Sequence, residues 1–178
     1  MIGFNMLVRD MPKDMSVLDV GAWGLTGENT TTYLTNHFKT VITMNIKPIH
    51  GVDIVGDFYT NPPNLRFDLI VLDLNIDNNL SHDWTREGMN RIHKMLNPGG
   101  FVILYLLTKE GYTNDEPAKT LINNSLNHLW KSSPVTVDGI GNAIMGFKDI
   151  FDLVAIQPDD RRDNIAWVKL QRYDGPKN

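Results

Sequence analysis

The sequence predicts a doubly wound α/β sheet that is mostly parallel, with one antiparallel strand near its C-terminal end. Three observations support this fold class. Short apolar, β-branched runs alternate along the chain with segments of helical periodicity. Runs such as residues 101–107 are apolar throughout, which is typical of parallel strands covered on both faces. Finally, the polar residues 157–164 separate the last two runs and allow Ile165–Arg172 to return antiparallel.

The first half of the chain is predicted to form four strands and one helix. A β-branched run, Ser16–Val20, gives the first strand. The next segment is predicted to be a helix over residues 28–38, with one side formed by Tyr33, Leu34, His37 and Phe38. Three further apolar runs predict strands over residues 40–46, 52–55 and Phe67–Leu72.

The second half continues the alternation. Ser81 can cap a helix that extends to Leu96, and the glycines that follow Asn97-Pro98 are expected to end it. Pro117 suits the first turn of another helix, whose period continues to Trp130. The remaining strands are predicted over residues 101–107, 151–156 and 165–172.

Composition limits the possible functions. A chain of 178 residues with 42% hydrophobic content is expected to form a single domain, 1–178, with its core at about residues 16–173. The net charge of −4 makes a broad nucleic-acid face unlikely, and the five histidines show no metal-ligand spacing. The chain has no cysteine, no apolar run of membrane-spanning length and no secretory signal, so we expect a cytoplasmic protein with neither disulfides nor a metal.

A glycine-bearing turn follows the first predicted strand. Asp19 stands near the end of that strand, and Gly21 and Gly24 follow before the helix begins. In α/β proteins, glycine at this position lets the backbone approach a nucleotide-like ligand. The acid suits a hydroxyl or amino group of that ligand better than a phosphate.

Several motifs in the expected order resemble class I S-adenosylmethionine-dependent methyltransferases, particularly those of methyltransferase type 11. The resemblance extends from Val17 to Arg172. It is carried by Asp19-Val-Gly21, Gly56-Asp-Phe58, Phe67-Asp-Leu-Ile-Val-Leu-Asp73 and Leu96-Asn-Pro-Gly-Gly-Phe-Val-Ile-Leu104. It implies a Rossmann-like methyltransferase domain that binds S-adenosyl-L-methionine.

The resemblance also implies a set of cofactor-binding residues and reveals two departures. Trp23 and Leu25 stand where the family prefers glycine, and Asn45 stands where an acid normally binds both ribose hydroxyls. An amide can still bond to a hydroxyl, but without the strength of a charged group. The implied cofactor-binding residues are Asp19, Gly21, Ala22, Trp23, Gly24, Asn45, Ile46, Asp57, Phe58 and Asp73.

Catalytic candidates are expected after the fourth strand, because doubly wound sheets bind ligands at the carboxyl ends of their strands. Methyl transfer requires an aligned acceptor and, where needed, a base that removes its proton. Asp73, Asn75 and His82 are the candidates, and histidine suits proton transfer near neutral pH. The alternative is that His82 is simply a solvated loop residue.

The leading hypothesis is methyl transfer to oxygen or nitrogen of a small-molecule or terminal acceptor. Acceptor recognition is then expected from residues 1–13, from the segment after the fourth strand, and from residues 109–116 or 131–149, with an oligomer or partner subunit completing the site as a further possibility. A competing hypothesis is a non-catalytic module that keeps the fold, favoured by the irregular glycine turn and by Asn45. A third, a nicotinamide-dependent oxidoreductase, is disfavoured because the second strand lacks the acid that such enzymes use.

Overall fold

The computed structural model describes residues 2–22, 29–58, 60–72, 86–107, 147–158 and 165–175. Seven strands form one sheet with the order β3-β2-β1-β4-β5-β7-β6. Its strands are β1 Ser16–Val20, β2 Thr40–Asn45, β3 Ile54–Val55, β4 Phe67–Leu72, β5 Leu96–Leu107, β6 Phe151–Pro158 and β7 Ile165–Arg172. The helices in the described part are α1 Ile2–Val8, α2 Thr30–His37 and α3 Arg86–Met95.

The predicted fold class is confirmed. Strands β1 to β5 pair in parallel, and β7 is antiparallel to both of its neighbours, β5 and β6. The strand order reverses beside β1, because β2 pairs with one side of it and β4 with the other. This reversal is the position at which doubly wound sheets form ligand crevices.

The sheet is covered on both faces by apolar clusters. On one face Leu18 and Ile70 pack with residues of α3 such as Met89 and Ile92. On the other, Val17 and its strand neighbours pack with residues of α1 and α2. Because side chains alternate between the faces of a strand, β1 places Asp19 on the same face as Val17.

The first helix is absent from the predicted elements. Residues 2–8 form α1, which packs over the β6–β7 side of the sheet. The sequence carries its signal, since Phe4, Leu7, Val8 and Met11 recur at helical spacing and are all buried. Part of the segment 1–13, one of those expected to contribute to acceptor recognition, therefore forms a helix whose apolar side chains belong to the core.

The other predicted bounds need small corrections. Helix α2 begins at Thr30 rather than residue 28, because the side chain of Asn29 accepts a hydrogen bond from the Thr32 N–H and caps it. Strand β2 ends at Asn45, β3 covers only two residues, and β6 extends to Pro158. The predicted helix over residues 117–130 and the start of the helix predicted from Ser81 lie outside the described residues.

The segment 97–100, expected to be a turn, belongs to β5 and disturbs its register. Phe67 pairs with Leu96, whereas Leu69 pairs with Phe101. At Gly100 an added Cβ would lie 2.9 Å from the Asn97 carbonyl oxygen and 3.1 Å from that of Asp68. A side chain cannot be accommodated there, so glycine is required for this irregular pairing.

No helix in the described part of the chain is both long and apolar enough to cross a bilayer.

Candidate functional site

The carboxyl ends of β1, β2 and β3 meet at one edge of the sheet. The backbone N–H groups of Gly21 and Ala22 both donate to the Met44 carbonyl oxygen, at 2.9 and 3.2 Å. The N–H of Gly56 donates to the carbonyl oxygen of Asn45 at 2.9 Å. These bonds bring the turn after β1 and the segment after β3 against the end of β2, beside the reversal of strand order.

The turn after β1 depends on a left-handed glycine. Gly21 has a φ of 86°, which side-chain-bearing residues rarely adopt. Ala22, immediately after it, is fully buried. The chain therefore turns sharply after β1 and keeps its backbone close to β2.

Asp19 lies within the sheet and is fully buried. Its Cα pairs with Thr43 on one side and with Val71 on the other. Few carboxylates are buried to this extent in proteins, and those that are usually serve a defined polar interaction. The position of Asp19, two residues before Gly21, places it next to the turn that a ligand would approach.

The side chain of Asn45 makes two hydrogen bonds within the protein. Its Nδ2 donates to the Ala22 carbonyl oxygen at 2.8 Å, and its Oδ1 accepts from the Lys47 backbone N–H at 2.8 Å. A carboxamide has two N–H donors and two acceptor lone pairs, so each atom keeps one further position for a ligand. Asn45 is half-buried and stands at the end of β2, as predicted.

Ile46, Asp57 and Phe58 lie around the same edge in different environments. Ile46 follows Asn45 and is 55% exposed, so it offers an apolar surface to a planar ligand group. Asp57 follows β3, and its backbone oxygen accepts the Asn61 N–H at 2.8 Å. Phe58 is buried in the core cluster that contains Met44, so its ring packs in the core next to this edge of the sheet.

The segment between β2 and β3 is held by an interaction that sequence patterns do not reveal. The backbone N–H and Oγ1 of Thr43 both donate to Asp53 Oδ2 at 2.8 Å, and the Asp53 N–H donates to Thr43 Oγ1 at 2.9 Å. Thr43 is buried, so this reciprocal pair fixes the approach to β3. Only the pairing of strands brings the two residues together, because no periodicity relates positions ten residues apart.

Five predicted site residues, Trp23, Gly24, Asp73, Asn75 and His82, lie outside the described residues. Of these, Asp73 directly follows the end of β4 in the sequence.

Other parts of the described structure differ from this edge of the sheet. Within the described ranges, no group of three or more histidine or acidic side chains has the geometry to hold a metal ion. An open cleft of about 490 Å³ lies beside the start of β4 and the end of α3. It is lined by residues 62–66 together with Arg91, Lys94 and Met95, and it belongs to the edge opposite the glycine turn.

The fold is that of S-adenosylmethionine-dependent methyltransferases. One similar structure is the 1,6-didemethyltoxoflavin-N1-methyltransferase of Burkholderia thailandensis with bound 1,6-didemethyltoxoflavin and S-adenosylhomocysteine. Its TM-score is 0.65 at 15% sequence identity, and the match covers 97% of this chain and 77% of that one. The glycopeptide N-methyltransferase MtfA, complexed with S-adenosylhomocysteine, has a TM-score of 0.61 and 14% identity over 97% of this chain and 89% of its own. An rRNA methylase from Streptococcus thermophilus has a TM-score of 0.54 and 13% identity, and the match covers 96% of this chain and 94% of that one.

No protein-family model matches the sequence, and no curated protein matches it. TM-scores of 0.54–0.65 at identities of 13–15% show a shared fold, whereas substrate and activity depend on individual side chains.

Proposed function

We propose that this chain binds S-adenosyl-L-methionine where β1, β2 and β3 end and transfers its methyl group to oxygen or nitrogen of a small-molecule or terminal acceptor. The observation that carries the proposal is the turn at Gly21 and Ala22. Its two N–H groups bond to Met44, and its left-handed glycine places no side chain between the backbone and an approaching ligand. Structures with the same fold, including a toxoflavin-precursor methyltransferase and MtfA, contain S-adenosylhomocysteine.

The residues at this edge have the chemistry that such a cofactor needs. The remaining donor and acceptor positions of Asn45 suit ribose hydroxyls, and exposed Ile46 suits one face of the adenine ring. Asp57 follows β3 and suits the adenine amino group. Asp19 suits the amino group of the methionine portion, for which a buried acid is a strong partner. Gly21 and Ala22, with Trp23, Gly24, Phe58 and Asp73, complete the proposed pocket.

The chemical step requires little from the protein. The bound cofactor supplies an activated methyl group, and the chain has to align the acceptor and accept its proton. We assign this role to Asp73, Asn75 and His82. Methyltransferases of this fold act on small molecules, on a glycopeptide and on ribosomal RNA, so the fold alone does not choose the acceptor. The net charge of −4 favours a small-molecule acceptor over nucleic acid.

Calorimetric titration with S-adenosylhomocysteine tests the cofactor assignment. We expect saturable binding with a dissociation constant in the micromolar range, which corresponds to about 8 kcal/mol. Absence of binding at millimolar ligand would contradict the proposal. Transfer of labelled methyl groups to a pool of small hydroxyl and amino compounds tests activity separately.

Replacing the buried acid locates the pocket. Asp19→Asn keeps the shape of the side chain but removes its charge, so we expect S-adenosylhomocysteine affinity to fall at least tenfold, about 1.4 kcal/mol. The control is Asp10→Asn, the same change at an exposed position, which should leave affinity unchanged. Equal affinities for both variants would show that the pocket does not include Asp19, provided that their circular dichroism spectra match that of the unmodified protein.

The second candidate is a non-catalytic module that retains the fold. It is favoured by the amide at residue 45, because two of its hydrogen-bonding positions are already used within the protein. Binding of S-adenosylhomocysteine without methyl transfer to any acceptor pool would support this alternative over the enzyme.

A further inference from the structure

The amide of Asn45 joins two segments of backbone that do not otherwise belong to one element. Its donor atom bonds to the Ala22 carbonyl oxygen in the glycine turn, and its acceptor atom bonds to the Lys47 N–H just after β2, both at 2.8 Å. The same turn is bonded to Met44 through the N–H groups of Gly21 and Ala22. The end of β2 therefore holds the turn through both its main chain and one side chain.

Only some side chains can make this pair of bonds. A carboxamide has a donor atom and an acceptor atom on one planar group, whereas an ionised carboxylate can only accept. With aspartate at this position, the Lys47 N–H would still have an acceptor. The other carboxylate oxygen would face the Ala22 carbonyl oxygen, and two acceptors at that separation repel each other.

We propose that Asn45 is a positioning residue that clamps the Gly21–Ala22 turn, and that the acid typical of the resembled family would weaken cofactor binding in this chain. This inference rests on the proposed cofactor site. Asn45 then differs from the acid of the family pattern in function as well as in charge. The amide supports the turn, and only its remaining donor and acceptor are available to the ribose.

The decisive test is Asn45→Asp, with S-adenosylhomocysteine affinity measured by calorimetry at about pH 8 and about pH 5. We expect affinity at least tenfold below that of the unmodified protein at the higher pH. The Lys47 N–H favours the charged form of the introduced carboxyl and the facing Ala22 carbonyl oxygen disfavours it, and we expect the carbonyl to dominate and raise the pKa because the pair is partly buried. On acidification that group becomes a hydroxyl donor to Ala22, and we expect the deficit to shrink to about threefold or less.

The matched control is Asn64→Asp, the same chemical change at an exposed residue near the opposite edge of the sheet. It should bind like the unmodified protein at both pH values. Asn45→Asp binding as tightly as the unmodified protein at the higher pH, or more tightly, would overturn the proposal, because the acid would then be serving the ribose. A tenfold deficit that does not change with pH would also overturn it.

A second measurement needs no ligand and separates this inference from the proposed function. The N–H groups of Gly21 and Ala22 donate to Met44, so releasing the clamp should raise their hydrogen-exchange rates at least tenfold in Asn45→Asp at the higher pH, compared with Asn64→Asp. Unchanged exchange overturns the clamp whatever the binding data are. Faster exchange in the variant, combined with no S-adenosylhomocysteine binding by the unmodified protein, overturns the cofactor assignment and leaves the clamp standing.

Discussion

Asp68 is the centre of a hydrogen-bond network at the amino edge of the sheet. Its Oδ2 accepts from the N–H and the Oγ of Ser16, at 2.8 and 2.7 Å, and its Oδ1 accepts from Asn97 Nδ2 at 2.7 Å. Burial alone would raise the pKa of Asp68, but the bonds from Ser16 and Asn97 stabilise the charged form and lower it. One carboxylate thus joins the starts of β1, β4 and β5.

Asp68→Asn should lower the free energy of unfolding by about 1–2 kcal/mol near pH 7, because a charged acceptor is replaced by a neutral one that also brings a competing donor. The native pKa is below that of the unfolded chain, so the contribution of Asp68 is present above the unfolded pKa and is lost as pH falls through the native one. Urea denaturation from about pH 7 to pH 3 should show the two proteins converging. A pH-independent difference would contradict this account.

Gly21→Ala should strain the turn by about 1–2 kcal/mol, because φ is 86° there, and should weaken S-adenosylhomocysteine binding. The control is Gly175→Ala, where φ is 81° and an added Cβ meets no atom within 4 Å. The control should show similar strain in thermal unfolding but unchanged affinity. If both variants bind equally well, the turn at Gly21 does not contact the ligand.

Among single residues, the sequence predicts those that belong to local patterns but not the contacts between residues far apart in the chain. The order of Asp19 and Gly21 after a β-branched run is a local pattern, so the turn could be predicted. The bond from Asn45 to Ala22 could not be predicted, because Ala22 is 23 positions away and meets Asn45 only once β1 and β2 pair. The same holds for Ser16 and Asp68, which are 52 positions apart.

Among the elements, α1 contacts both the sheet and α2 through the ring of Phe4. The ring centroid of Phe4 lies 4.7 Å from that of Trp167 on β7 and 5.8 Å from that of Tyr33 on α2. Trp167 also contacts Tyr105 on β5, at 4.2 Å. The sequence shows the spacing of this helix, but seven residues are too few for periodicity alone to define an element.

A lysine side chain from β7 donates a hydrogen bond to the last turn of α1. Lys169 Nζ donates to the Leu7 carbonyl oxygen at 2.8 Å and lies 4.6 Å from the centre of the Phe101 ring. Burial lowers the pKa of Lys169, and the nearby charge of Asp10 partly opposes that shift. The ammonium satisfies a carbonyl that the helix itself leaves unpaired.

Phe4→Ala should destabilise the protein by about 3–5 kcal/mol, because it removes a fully buried ring between two others. Met6→Ala is the control on the same helix, where the side chain is 47% exposed and the change should stay within about 0.5 kcal/mol. Both values follow from urea denaturation. A loss below about 1 kcal/mol for Phe4→Ala would show that α1 contributes little to the folded state.

For the whole molecule, ligand binding should raise the free energy of unfolding. S-adenosylhomocysteine at one hundred times its dissociation constant should add about 2.7 kcal/mol to the free energy of unfolding. For a chain of this length, that gain raises the melting temperature by about 5–10 °C. Differential scanning fluorimetry over a ligand series measures it, with adenine alone as the comparison. An unchanged melting temperature would contradict the cofactor assignment.

The mostly parallel sheet with one antiparallel strand was predictable at this scale because parallel βα units and a closing antiparallel pair allow few arrangements. The seven strands fall in the sequence positions expected, with differences of up to five residues at their ends. The irregular start of β5 was not predictable from Asn97-Pro-Gly-Gly100, since a turn and a bulged strand use the same residues.

The position of β7 has a consequence for how the chain is made. In the described sheet, β6 pairs only with β7, and β7 lies between β6 and β5. While only the strands up to β6 have been synthesised, β5 lacks the neighbour that it has in the folded sheet, and the backbone N–H and C=O groups along its edge stay unpaired. The sheet is completed when β7 inserts between them. Until then the nascent chain presents an unpaired edge, the kind of surface that chaperones cover and on which partly synthesised chains associate.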